Sequence, residues 1–184
     1  QLEFLNMTIP PTNLEPFGGK EQVRKVFLKA ARATADFYIE NSCADGIPMW
    51  DTGAPNLHRL GEYLGRTSNP YNDWEPVDSS AAAIAAQGLM RLGLHLKGAA
   101  GLNYLNAGRT ILKTLLDEPY LSTNAKHQGL LLHSVYHRPN GWDYIAKGQK
   151  VPNGESSMWG DYHLREAALL VLKQARGDGY LTFF

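Results

Sequence analysis

The stretch WEPVDSSAAAIAA, residues 74–86, decides the fold of this chain. Pro76 disfavours the helical conformation at the residue before it, so the chain reaches this point extended. Asp78 and the two serines after it are residue types that cap a helix by accepting hydrogen bonds from its first N–H groups. The residues that follow, up to Leu96, include Ala, Ile, Leu, Met and Gly on every face, which is typical of a buried helix. The sequence therefore predicts an inner helix whose N-terminus opens on a polar pocket.

A second stretch of the same character, SSMWGDY at residues 156–162, lies near the end of the chain. Its hydroxyl groups, its tryptophan and the acid Asp161 precede a segment rich in Ala and Leu, residues 163–172. A carboxylate is suited to the positive end of a helix dipole. We therefore predict a second inner helix over residues 163–172, again with a polar N-terminus.

Two further segments have one apolar and one polar face, which predicts outer helices. They are residues 21–40 and residues 102–116, the second being ended by Pro119. The apolar stripe predicted for the first consists of Val23, Val26, Phe27, Ala30, Ala33, Phe37 and Tyr38.

The remaining segments connect these helices. Residues 1–20 are rich in proline and turn-forming residues and are predicted to be irregular. Residues 41–74 form a long loop that holds several aromatic side chains, and loops of this length tend to be functional. Residues 129–137 are predicted to form a short strand, with a hairpin turn at residues 138–141. Residues 147–157 form another Gly- and Pro-containing loop before the last helix.

The composition argues against several classes of protein. Lys and Arg total 18, as do Asp and Glu, so neither nucleic acid nor an acidic membrane surface is indicated as a partner. The single cysteine, Cys43, excludes an internal disulfide framework and favours a cytoplasmic or periplasmic protein, with secretion left open. No apolar run is long enough to predict a membrane span. Asn6-Met7-Thr8 matches the short N-glycosylation pattern, and residues 180–184 form an apolar tail.

The order of the helices is outer, inner, outer, inner. This alternation is expected of an α/α toroid, in which an outer ring of helices surrounds an inner ring. Two inner and two outer helices cannot close such a ring, so either other polypeptide completes it or the helices pack as a small bundle. Because the chain also lacks an initiator methionine, we expect it to be a piece of something longer.

Three motifs in order resemble the unsaturated glucuronyl hydrolases of glycoside hydrolase family 88, which are related to the unsaturated rhamnogalacturonyl hydrolases of family 105. The motifs are DSSAAAIAA at residues 78–86, GLLLHSVYHRP at residues 129–139 and WGDY at residues 159–162. Trp50-Asp51 stands upstream of them, as in the family. The resemblance extends from about Glu21 to the end of the chain.

The resemblance implies an all-α fold, an (α/α)6 barrel with its site at the N-terminal ends of the inner helices. It also implies an enzyme that removes a Δ4,5-unsaturated uronic acid from the non-reducing end of lyase-generated oligosaccharides. Family members hydrate the vinyl ether with an aspartate as general acid/base and need no cofactor and no metal. Their catalytic aspartates and an Arg-Gly-Gln-Ala-Trp motif belong to the N-terminal half, which residues 1–19 do not match. We therefore expect residues 21–184 to be only the C-terminal portion, with no catalytic residue and with the missing N-terminal half as its partner.

The candidate substrate-binding residues are polar and aromatic side chains near the predicted helix starts. They are Trp50, Asp51, Ser79, Ser80, Ser156, Ser157, Trp159 and Asp161. Helix capping alone also explains the hydroxyls and acids among them, and packing over helix ends explains the aromatic residues. Reading Asp78 and Asp161 as a glycosidase carboxylate pair is disfavoured because the family has its acid elsewhere.

Other chemistry-bearing residues favour structural roles. His133 and His137 are too far apart on an extended chain to share a metal, and Cys43 has no partner pattern for a nucleophile. Two alternative functions stay open. One is a non-catalytic carbohydrate-binding or oligomerising remnant of the same fold. The other is a relative that acts on a different glycan, with residues 41–74 setting its specificity.

Overall fold

The computed structural model describes residues 2–3, 5 and 9–179 of the chain. Its α-helices are α1 (Gly19–Glu40), α2 (Ser79–Leu96), α3 (Gly98–Leu115) and α4 (Met158–Arg176). The described part contains no β-strand, only isolated bridges, and short 3-10 turns lie in the connections. The all-α class predicted from the sequence is confirmed. The glycosylation pattern and the apolar tail lie outside the described residues.

Helix α2 is the centre of the fold, and its predicted start is confirmed. Asp78 is the N-cap, with Oδ1 accepting the N–H groups of Ser80 at 2.9 Å and Ala81 at 3.3 Å. More than half of the helix is buried, including Ser79 and Ser80. Ile84, however, is exposed, so the described residues leave one face of α2 uncovered.

Helices α2 and α3 form a close antiparallel pair because glycines lie at their contact. A Cβ on Gly93 would lie 2.6 Å from the carbonyl oxygen of Gly101, and one on Gly108 would lie 2.7 Å from that of Ala86. The connection turns sharply at Lys97 and Gly98, which both have positive φ. Helix α3 therefore begins at Gly98, one turn earlier than predicted.

The predicted apolar stripe of α1 is partly wrong. Val26, Ala33 and Phe37 are exposed. The face in contact with the core consists of Leu28, Ala31, Ala35 and Tyr38. The stripe read from the sequence and the stripe that packs differ by about one residue, a rotation of about 100°. The Tyr38 hydroxyl fixes the rotation by donating to the carbonyl oxygen of Gly46 at 2.8 Å.

Helix α4 begins earlier than predicted, at Met158, because Ser157 is its N-cap and accepts the N–H of Gly160 at 3.1 Å. It ends at Arg176, four residues later than predicted, and Gly177 follows it in the left-handed conformation with φ 73°. Its buried residues are Gly160, Leu164, Ala167 and Leu170. Leu169 and Leu172 are exposed, so the part of the chain that the structure describes covers this helix only partly.

The strand and hairpin predicted for residues 129–141 are wrong. His133 has φ 68°, which interrupts an extended chain, and residues 138–140 form a 3-10 turn. Neighbouring N–H groups donate to carboxylates instead of a partner strand, with Leu130 and Leu131 bound to Asp161. One isolated bridge, between Leu121 and Leu131, is the remaining β-like contact of this segment.

The long loop before α2 is confirmed, and a buried carboxylate organises it. Glu75 accepts the indole N–H of Trp50 at 2.8 Å and the backbone and side-chain N–H groups of Asn56, both at 2.9 Å. Met49 forms a bridge with Val77, which places the loop beside the start of α2. No helix in the described part of the chain is long and apolar enough to cross a membrane.

Glycine at position 108 is needed for the α2–α3 contact, and this can be tested by substitution. We expect Gly108→Ala to lower the free energy of unfolding by about 1–3 kcal/mol, because the new methyl group overlaps the backbone of α2. Gly88→Ala is the matched control, since a Cβ at Gly88 meets nothing within 4 Å. It should raise stability by up to about 1 kcal/mol through helix propensity alone. Equal effects of the two substitutions in urea unfolding would contradict the packing described.

Candidate functional site

The candidate site lies where the N-terminal ends of α2 and α4 meet. Trp159, in the first turn of α4, donates its indole N–H to Ser80 Oγ at 3.1 Å. Ser80 Oγ in turn donates to Asp78 Oδ1 at 2.6 Å. Ser79 Oγ lies 3.2 Å from Ser134 Oγ, which brings the segment after residue 129 to the same place. Two helix starts and one irregular segment therefore form a single surface.

Asp78 connects these parts. Its Oδ1 accepts the N–H of Val135 at 3.3 Å in addition to the hydrogen bonds from α2. Burial raises the pKa of Asp78, while its hydrogen bonds with Ser80, Val135 and Ala81 act in the opposite direction. Asp78 Oδ1 accepts hydrogen bonds from the backbone N–H groups of Ser80, Ala81 and Val135 and from the Ser80 hydroxyl. These bonds hold the fold together, so this carboxylate supports the site.

An aromatic surface formed by Tyr136, Trp142 and Trp159 lies beside this junction. The ring centroids of Tyr136 and Trp159 are 5.4 Å apart, and those of Tyr136 and Trp142 are 5.8 Å apart. Both pairs are tilted by only about 30°. Tyr136 is 58% exposed, Trp142 61% and Trp159 36%. Rings that are held by one another and still exposed can stack against the apolar face of a sugar.

The segment that carries Tyr136 is held by carboxylates. The N–H groups of Tyr136 and His137 both donate to the buried carboxylate of Asp143. Asp161 performs the same role at the other end, accepting from Leu131 at 2.8 Å. Both carboxylates fix backbone and thereby the position of the aromatic surface.

An open cavity of about 750 Å³ lies against the first turns of α4. It is lined by Ser156, Ser157, Asp161, Tyr162, Arg165 and other residues. The polar pocket predicted at an inner helix start therefore lies against α4, because at the start of α2 Trp159 binds the hydroxyl of Ser80 and Ser134 lies against that of Ser79.

The eight residues singled out from the sequence have different surroundings. Ser79, Ser80 and Ser157 are buried. Their oxygens bind other parts of the protein, and Ser156 Oγ is buried too. Trp50 is bound to Glu75, while Asp51 is exposed and accepts the N–H of Gly53 at 2.6 Å. Trp159 lies on the aromatic surface, and Asp161 lines the cavity beside α4.

Tyr136 and Trp142 were missed as site residues, although the signal was present. Tyr136 lies within the GLLLHSVYHRP motif and Trp142 just after the turn that follows it. Because residues 129–137 were predicted to form a strand, nothing in the sequence indicated that Tyr136 or Trp142 would lie beside Trp159. The left-handed conformation of His133 and the carboxylate contacts bring them together.

His133 is a buried structural residue, as the sequence favoured. Its Nδ1 accepts the N–H of Gly154 at 2.9 Å, so its proton is on Nε2, which lies 3.2 Å from the carbonyl oxygen of Pro119. The Tyr71 and Tyr120 rings form T-shaped contacts with it, with ring centroids 5.2 Å and 5.6 Å away. Burial lowers the pKa of His133 to about 4. Among the described residues, no group of three or more His, Cys, Asp or Glu is arranged to hold a metal ion.

Several solved structures of unsaturated glucuronyl hydrolases share this fold. One, specific for heparin, is 26% identical with a TM-score of 0.61, and the match covers 86% of this chain and 36% of that one. The enzyme from Bacillus sp. GL1 is 24% identical with a TM-score of 0.59, covering 83% and 34%. A mutant of the Streptococcus agalactiae enzyme is 22% identical with a TM-score of 0.58, covering 89% and 36%.

The chain therefore has the helical-barrel fold of the unsaturated glucuronyl hydrolases. It spans only about a third of the length of these chains, which is consistent with the C-terminal portion predicted from the sequence. No family model matches the sequence, and no curated protein matches it.

His133 makes stability depend on pH in a defined window. Its pKa is 6.5 in an unfolded chain and about 4 in the folded one, so the unfolded state binds the extra proton between these values. Above pH 6.5 the imidazole is neutral in both states, so His133 does not make the free energy of unfolding depend on pH. The free energy of unfolding falls as the pH drops from 6.5 towards 4. We expect His133 to lower the free energy of unfolding by about 2 kcal/mol between pH 7 and pH 5.

The measurement is urea unfolding at pH 7 and pH 5. His133→Asn tolerates the left-handed backbone and should remove this part of the pH dependence. The control is His127→Gln, at an exposed loop position, which should retain it. An unchanged pH dependence in His133→Asn would contradict the assignment of a neutral buried imidazole.

Proposed function

We propose that this chain is the C-terminal portion of a glycoside hydrolase that removes a Δ4,5-unsaturated uronic acid from lyase-generated oligosaccharides. The supporting observation is the aromatic surface at the N-terminal ends of α2 and α4, in a fold that matches the unsaturated glucuronyl hydrolases. The reaction hydrates the vinyl ether of the unsaturated sugar, after which the hemiketal opens and releases it.

The portion described here contributes binding, and the rest of the ring contributes the acid. Asp78 and Asp161 both bind backbone N–H groups, which argues against either as the proton donor. The aromatic rings can stack against a sugar ring, and the cavity beside α4 offers the exposed polar side chains of Gln128, Tyr162 and Arg165. The catalytic aspartates then belong to the missing N-terminal half.

If the hydrolase proposal is correct, a longer protein hydrolyses unsaturated disaccharides and the 184-residue chain alone does not. The measurement follows the loss of the ultraviolet absorbance of the unsaturated uronate, with lyase-generated disaccharides from several glycans as substrates. Consumption by the longer protein alone is the expected result. If the longer protein consumes no disaccharide in such a panel, the hydrolase proposal fails.

The alternative is a non-catalytic carbohydrate-binding remnant of the fold. It is favoured because Asp78 and Asp161 both accept hydrogen bonds from backbone N–H groups and neither is placed as a proton donor. Both readings use the aromatic surface, and they differ in turnover. A longer protein that binds the disaccharides without consuming them would support the remnant.

Binding through the aromatic surface is testable on its own in the longer protein. We expect Trp142→Ala to weaken binding of an unsaturated disaccharide by roughly fivefold, about 1 kcal/mol, because it removes an exposed ring from the surface. Phe37→Ala, at an exposed position on α1, is the control and should bind as the unaltered protein does. Titration calorimetry makes the comparison. Equal affinities of the two variants for the disaccharide would show that Trp142 is not part of the binding site.

A further inference from the structure

The cavity of about 750 Å³ beside α4 is lined by a positively charged side chain, that of Arg165. Arg165 is exposed, and its guanidinium forms no hydrogen bond or ion pair with the residues that the structure describes. The exposed amide of Gln128 lines the same cavity and is likewise without such a partner among them. An arginine presents its N–H donors as a planar fork that matches the oxygens of an anionic group. The cavity therefore has donors available for an anion.

The carboxylates that line this cavity are already bound by the protein. Asp161 accepts two backbone N–H groups at 2.8–3.0 Å, and it lies in the first turn of α4, at the positive end of the helix dipole. Glu166 accepts the side-chain N–H of Gln87 at 2.8 Å. Its hydrogen bond with the Tyr162 hydroxyl raises the pKa of Tyr162. Donors of the protein thus partly offset both negative charges, whereas no described residue offsets the charge of Arg165.

The position of Arg165 on α4 relates the cavity to the aromatic surface. Arg165 lies six residues after Trp159, which corresponds to about 9 Å along the helix axis and about 120° around it. Tyr162 comes midway between them on the helix surface, and its ring is exposed. The cavity therefore lies beside the aromatic surface, at a distance that the substituents of a bound disaccharide can span.

We propose that Arg165 makes this cavity a subsite for an anionic substituent of the bound disaccharide. The guanidinium donates to a carboxylate or sulfate oxygen, and the amide of Gln128 donates beside it. Hydrogen bonds between two charged groups are stronger than those to a neutral hydroxyl. Arg165 thereby determines specificity, because it favours a disaccharide with a charged group at this place over one without it.

This inference rests on the proposed function, because it takes an unsaturated disaccharide as the ligand. It adds a residue that determines which disaccharides bind. The anionic group has two sources, the carboxylate of the unsaturated uronate and a sulfate on the sugar that follows it. Both offer the same chemistry to the guanidinium, and the choice of disaccharides in the test separates them.

The test measures affinity in the longer protein by titration calorimetry with three disaccharides. The first is an unsaturated disaccharide without sulfate, the second has a sulfate on its second sugar, and the third is the methyl ester of the first. We expect Arg165→Gln to weaken binding by roughly tenfold wherever the anionic group is present. A loss confined to the sulfated disaccharide identifies the sulfate as the ligand. A loss for both free acids but not for the methyl ester identifies the carboxylate.

Two further variants separate charge from structure. Arg176→Gln, at an exposed position near the end of the same helix, is the matched control and should bind all three disaccharides as the unaltered protein does. Arg165→Met retains the apolar stem of the side chain and should show the same losses as Arg165→Gln, because both remove the charge.

Three outcomes overturn the inference. The first is unchanged affinity of Arg165→Gln for all three disaccharides. The second is an equal loss for all three, since a loss that does not depend on the anionic group indicates a structural role for Arg165. The third is unchanged affinity of Arg165→Met, because the stem and not the charge is then what matters.

Turnover of the same disaccharides is measured separately, so that the subsite and the hydrolase proposal can fail independently. A longer protein that binds a charged disaccharide through Arg165 without consuming it retains the subsite and removes the hydrolase proposal. A longer protein that consumes all three disaccharides, with affinities that Arg165→Gln leaves unchanged, does the reverse.

Discussion

The carboxylate of Asp78 is the group on which the site depends. It caps α2, accepts the N–H of Val135 and accepts the hydroxyl of Ser80, which in turn accepts the indole N–H of Trp159. Buried polar groups are costly when unpaired, so these partners hold one another in a single arrangement. A helix start, an irregular segment and the aromatic residue of a second helix are thereby joined. These hydrogen bonds lie beneath the aromatic surface, so they hold its rings in place and leave them exposed.

The open faces of the fold have a common explanation. Helices α2 and α4 have a covered side facing one another and α3, and uncovered apolar residues elsewhere, Ile84 on α2 and Leu169 and Leu172 on α4. In a ring of helices each inner helix has neighbours on both sides. The chain forms an arc of such a ring, and its exposed apolar residues are those that further helices would cover.

Local sequence signals predicted the arc well, and contacts distant in sequence account for the errors. Pro76 and Asp78 marked the start of α2 because extended entry and capping are local properties. The resemblance in three motifs placed the fold. The rotation of α1 depends on Tyr38 reaching Gly46, and the path of residues 129–137 depends on Asp161 and Asp143. Apolar periodicity carries no information on such partners. The serines were correctly placed at the helix starts, but their burial depends on contacts distant in sequence, with Trp159 bound to Ser80 and Ser134 beside Ser79.

We propose that the starts of α2 and α4, with Tyr136 and Trp142, form one wall of a sugar site inside a larger ring. The most direct measurement is a crystal structure of the longer protein with an unsaturated disaccharide bound. We expect a sugar ring stacked on the aromatic surface, with a carboxylate from upstream polypeptide at the unsaturated bond. A disaccharide bound away from Trp159 and Tyr136, or an aromatic surface covered by protein, would contradict it.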